Sequence, residues 1–132
     1  MTVAKLSTGK VVGGYAGVSW ASSGWSYARS PTNFVFSLSN GHRHALIAGN
    51  EEQAQVHYRS YGPTFGGGHD LYIQSDMNGG YCNLGNSYAC RVGADTRVNA
   101  CASCNKDIDT QSSFGMNLCI GVNPGPIRFR RG

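Results

Sequence analysis

Apolar residues in this chain recur at every second position in short bursts, and almost nowhere at every third or fourth. Residues 33–38 (NFVFSL) set Phe34, Phe36 and Leu38 against Val35 and Ser37, and residues 70–74 (DLYIQ) alternate in the same way. A period of two predicts half-buried strands. Residues 10–20 carry Val11, Val12, Tyr15, Val18 and Trp20 around Gly13 and Gly14, which predicts a strand with a bulge or sharp bend. Residues 45–48 (ALIA) and 54–59 (AQVHYR) are the next two predicted strands, separated by a polar turn over residues 49–52. Helices are not expected, because each glycine in a helix interior costs about 1 kcal/mol relative to alanine. Residues 21–32 and 75–86 read as loops rich in Gly, Ser and Asn. After Cys90 neither period persists, until residues 114–122 (FGMNLCIGV) supply one last strand before an irregular end, PGPIRFRRG. The expected fold is mostly β: an antiparallel sandwich over residues 1–90, followed by an irregular segment over residues 91–132.

Composition sharpens this picture. Glycine accounts for 19 of 132 residues, about twice its ordinary share, and no G-X-Y period accompanies it. Many short strands joined by tight turns fit that usage. The net charge is +4, with six Lys or Arg against three Asp or Glu in residues 91–132. No basic stripe crosses residues 1–90, so nucleic-acid binding is not expected. The N-terminus lacks an apolar run of signal-peptide length and no window approaches 18 apolar residues, so membrane insertion is not expected and a cytoplasmic location is. In a reducing compartment the five cysteines need not pair.

The densest motif is FGGGHD, formed by Phe65, Gly66, Gly67, Gly68, His69 and Asp70. A phosphate-binding loop would need a Lys-Ser/Thr pair and a helix after the glycines, whereas a strand follows here. The triplet therefore reads as a turn that lets backbone pack closely. His69 beside Asp70 invites a catalytic reading, but neighbours in a strand point to opposite faces and no G-x-S-x-G elbow is present. His42, His44 and His57 would hold a metal only if they converged; solvent-facing histidines of a hairpin are expected instead. Cys101 and Cys104 form a lone CxxC without the second pair that zinc requires. Tyr15, Trp20, Trp25 and Tyr27 are either core aromatics or a sugar-stacking surface. No catalytic residue, metal or cofactor emerges from these patterns.

Three stretches in order carry a resemblance. Gly9, Lys10, Val11, Val12, Gly13, Gly14 and Tyr15 lead to Ser19 and Trp20; PTNFVFSL follows at residues 31–38; YGPTFGGGHDLYI follows at residues 61–73. Together with CNLGNSY at residues 82–88, this arrangement resembles the TLDc domain over residues 5–90. The family's upstream elements and its Phe-rich, acidic closing strand are not found, so the sandwich is expected to be incomplete. The resemblance implies a non-catalytic protein-interaction domain that protects against oxidative stress, with the vacuolar proton pump as an implied partner. On that reading Gly13, Gly14, Tyr15, Trp20 and residues 65–70 shape a binding surface. Two rivals stand beside it: a small hydrolase or peroxide-consuming enzyme using His69 with a cysteine or serine, and a carbohydrate-binding sandwich using Trp25 and Tyr27.

Overall fold

The computed structural model describes residues 1–6, 9–21, 24–39, 41–89, 114–122 and 127–131. Alternation becomes strand throughout. β1 (Thr2–Leu6) buries Thr2, Ala4 and Leu6 in turn. β2 (Val11–Tyr15), β4 (Phe34–Ser37) and β5 (His42–Ala45) continue the same layer. β3 (Ser26–Ala28), β6 (Gln55–His57), β7 (Tyr61–Phe65), β8 (Leu71–Gln74) and β9 (Gly79–Cys82) form the other. Helical structure among the described residues is a single 3-10 turn at Glu51–Gln53.

Every pairing is antiparallel, giving the sheets β5-β4-β2-β1 and β3-β6-β7-β8-β9. β10 (Phe114–Val122) runs along β1 and meets β9 at Phe114 and Gly115, and β11 (Ile127–Arg131) pairs with β10. One core fills the space between the layers. Ala4, Leu6, Val12 and Val35 come from the first sheet and Phe65, Leu71, Ile73 and Cys82 from the second, with Leu84 and Tyr88 from the segment that follows. Each fully buried Leu, Ile or Phe contributes about 2 kcal/mol in transfer terms.

The mostly β, two-layer expectation holds, with five local differences. β2 pairs with both neighbours in unbroken register through Gly13 and Gly14, so the expected bulge is absent and Trp20 lies beyond the strand. The strand expected at residues 45–48 ends at Ala45, and His42–Ala45 forms β5 instead, because the sheet needs the GHRH segment opposite Phe34–Ser37. Both expected loops contain a strand: Ser26–Ala28 at an edge, and Gly79–Cys82 opposite β8. Within the segment expected to be irregular, Ile127–Arg131 is a strand. β10 supplies the pairing that an incomplete sheet would have lacked, so β1 is hydrogen-bonded on both edges. The one register shift in the second sheet falls in β7 between Tyr61 and Thr64, where Pro63 has no N–H to donate.

Candidate functional site

The glycine turn is built around a carboxylate. Gly66 sits at φ +91°, a left-handed conformation that glycine adopts without strain, and the His69 N–H closes the turn onto the Gly66 carbonyl at 3.1 Å. A Cβ on Gly66 would overlap the Asp70 carboxylate; on Gly67 it would overlap the Gln53 amide, and on Gly68 the Asn86 side chain. Asp70, fully buried, accepts backbone N–H bonds from Asn86 (3.1 Å), Ser87 (3.0 Å) and Tyr88 (2.9 Å). Its carbonyl accepts a fourth, from Asn83 at 2.9 Å, and the Ser87 hydroxyl accepts the Gly67 N–H at 2.8 Å. Burial pushes the Asp70 carboxyl up to about 6, against the donated N–H groups that favour its charged form.

This arrangement is a clasp between the layers. Beyond Tyr88 the chain crosses to β5: the Ala89 N–H donates to the Ala45 carbonyl, the Ile47 N–H to the Ser87 carbonyl, and Leu46 bridges to Tyr88. The Tyr88 hydroxyl donates to the Ala54 carbonyl at 2.7 Å. Asp70, at the head of β8, therefore fixes a segment that ties the second sheet to the first.

His69 faces the other way. With φ 54° it occupies a left-handed position uncommon outside glycine. Its ring lies among half-buried tyrosines of β7, β8 and β9, with Nδ1 at 2.7 Å from the Tyr81 hydroxyl. Tyr72 and Tyr81 are cross-strand partners stacked at 4.9 Å and 15°, and Tyr61 meets Tyr72 edge-on at 5.0 Å. Burial lowers the His69 imidazolium and raises both phenols. The adjacent His69 and Asp70 thus serve separate environments, and the described partner of His69 is a phenol and not a serine or cysteine. Cys82 is buried on the inner side of β9.

Gly14 and Phe65, read as separate motifs, meet across the layers. A Cβ on Gly14 would lie 2.5 Å from the Phe65 ring, and Trp20 packs edge-on against that ring at 5.3 Å. Gly13 lies against the Thr2 carbonyl and the Phe36 ring, while Tyr15 is exposed and stacks on Phe34 at 5.4 Å. Trp25 and Tyr27 remain on the surface, 47% and 39% exposed, with rings 4.7 Å apart. The Tyr27 hydroxyl donates to the Gly67 carbonyl at 3.5 Å, which joins this aromatic pair to the glycine turn.

Other expectations fare differently. His44 and His57 are buried and lie on different sheets, so the solvent-facing reading fails for both; His44 Nδ1 is 3.0 Å from the Ala89 carbonyl oxygen. No group of three or more His, Cys, Asp or Glu among the described residues is placed to hold a metal. Cys101 and Cys104 lie outside the described residues. Sequence reasoning missed a buried polar network: Asn33 Nδ2 donates to Gln55 Oε1 at 3.0 Å, Gln55 Nε2 donates to the Val18 carbonyl at 3.1 Å, and Gly17 N–H donates to Asn33 Oδ1 at 2.7 Å. An Asn just before one strand and a Gln beginning another gave no sign of meeting. No helix among the described residues is long and apolar enough to cross a membrane.

Fold and clasp together define a two-layer antiparallel β domain whose glycine motif belongs to its frame. The chain matches the TLDc domain over residues 1–111, and it belongs to that family. Comparison with curated proteins found no match, and comparison with solved structures found none either.

Proposed function

We propose that this chain is a cytoplasmic protein-interaction domain that serves in protection against oxidative stress without catalysing a reaction of its own. The observation that carries this reading is the exposed aromatic pair, Trp25 and Tyr27, seated against the glycine turn through the Gly67 carbonyl. Tryptophan and tyrosine concentrate binding energy at protein interfaces, because each buries a large ring at little conformational cost. The turn beneath them is fixed by the Asp70 clasp, so the surface is pre-organised and loses little entropy on docking. Family membership favours the vacuolar proton pump as the partner. The hydrolase or peroxide-consuming alternative draws no support from His69, whose Nδ1 faces the Tyr81 hydroxyl.

Binding of the purified chain to the purified pump tests the proposal. Trp25→Ala should weaken binding about thirtyfold, the hot-spot threshold of about 2 kcal/mol. Absence of binding by the unmodified chain, or an unchanged affinity in the variant, contradicts it. Glycan-array binding that disappears with Trp25→Ala would favour the carbohydrate reading instead.

A further inference from the structure

The outer face of the second sheet holds a pair that the interaction reading does not use. Tyr81 Oη and His69 Nδ1 lie 2.7 Å apart, a short hydrogen bond between a phenol and an imidazole. Burial lowers the imidazolium and raises the phenol, so at neutral pH a protonated phenol faces a neutral imidazole, and in the Nε2–H tautomer the phenol donates to Nδ1. Oxidation of a phenol by one electron leaves a strongly acidic radical cation, so the proton must depart with the electron. A base already hydrogen-bonded to the hydroxyl removes that obstacle, as positioned proton acceptors do in general. The Tyr72 ring is stacked on Tyr81 at 4.9 Å, nearly parallel, and lies 5.9 Å from the His69 ring, where the positive charge develops. Tyr61 and Tyr58 extend the row, with successive centroids 5.0 and 4.9 Å apart.

We propose that Tyr81, with His69 as proton acceptor, is a one-electron oxidation site that takes up diffusible inorganic radicals such as the carbonate radical anion. In this step Tyr81 loses one electron to the radical anion, which becomes carbonate. The Tyr81 O–H bond breaks, and its proton forms the Nδ1–H bond of a His69 imidazolium. The products are a neutral tyrosyl radical and carbonate, with atoms and electrons balanced. Tyr81 is the group oxidised, and His69 is the base that takes its proton. The site stands independently of what docks at Trp25.

Pulse radiolysis of the full chain in bicarbonate generates the probe. Spin trapping with peptide mapping locates the product, and optical growth of the tyrosyl band gives the rate. Adducts should concentrate on half-buried Tyr81, and Tyr81→Phe, which keeps the ring stack, should abolish them there. His69→Asn tolerates the left-handed backbone but cannot take a proton; it should slow tyrosyl formation about a hundredfold, the lower end of what a positioned acid-base partner contributes. Because that variant disturbs a turn, the unmodified chain is also measured in heavy water, where the rate should fall. Adducts distributed by exposure onto Trp25, Tyr27 and Tyr15 would overturn the proposal. Equal rates in light and heavy water, or an unchanged rate in His69→Asn with an unchanged melting temperature, would do so as well.

Discussion

Two glycine clusters, Gly13 with Gly14 and the Gly66, Gly67 and Gly68 triplet, look alike as sequence and do opposite work. The first lies inside a regular strand, where the missing side chain of Gly14 admits the Phe65 ring and lets the layers close on an apolar contact, and that of Gly13 leaves room for the Thr2 carbonyl and the Phe36 ring of its own sheet. The second lies in a turn, where the missing side chains admit polar groups, above all a buried carboxylate that collects three N–H bonds. Glycine creates room in both places, and the neighbouring residues decide whether ring or carboxylate fills it. Phe65 belongs to both sites: its ring closes on Gly14, and its backbone leads directly into Gly66.

The clasp should be the more expensive to break. Asp70→Ala leaves the buried Ser87 and Tyr88 N–H groups and the part-buried Asn86 N–H without an acceptor, which should lower stability by about 4 kcal/mol in denaturant titration. A loss below about 1 kcal/mol would mean that the 83–88 segment is held by something else. The carboxyl also sets a pH signature that the apolar contact cannot produce. Its folded value, about 6, lies above its ordinary 3.8, so the folded state retains a proton that the unfolded chain has released. Its contribution is therefore fully present below 3.8 and lost as the pH rises through about 6, a swing of about 3 kcal/mol. The melting temperature should fall over that window, and Asp70→Asn should flatten the curve there.

The apolar cluster should respond to volume alone. Gly14→Ala drives a methyl into the Phe65 ring and should cost about 2 kcal/mol at any pH. Adding Phe65→Leu should recover about 1 kcal/mol of that loss in a double-mutant cycle, because the two residues are in contact. The smallest effect belongs to a glycine outside both clusters. Gly24 has open space where a Cβ would stand, so Gly24→Ala should stabilise the chain by about 0.5 kcal/mol through the unfolded state.

Alternation alone makes much of this fold legible in the sequence. Phe34–Ser37 and Leu71–Gln74 announce themselves by their alternating sequence; Leu71–Gln74 turns Leu71 and Ile73 to the core and Gln74 to water, whereas Val35, Phe36 and Ser37 are all buried. Ser26–Ala28 and Gly79–Cys82 do not: the first is a short, exposed edge, and the second carries glycine at positions where Leu or Val would have marked burial. The triplet was legible as a crowded turn, since only glycine fits such a place. Its occupant was not. An aspartate beside a histidine reads as surface chemistry, and burial of its carboxylate depends on N–H groups 16 to 18 positions further along the chain. The Tyr81 pairing with His69 was hidden for a related reason, because it requires the register of β8 against β9 and not the identity of any one residue. Local pattern shows which residues can be buried. Which polar groups are buried together is settled by strand register and long-range pairing.

Hydrogen exchange at the Asn86, Ser87 and Tyr88 amides tests the clasp most directly. These three N–H groups should exchange slowly in the unmodified chain, and in Asp70→Ala they should exchange fast while the β1 and β2 amides stay protected. Rapid exchange of the three amides with Asp70 intact, or undiminished protection once its carboxylate is removed, would contradict the account.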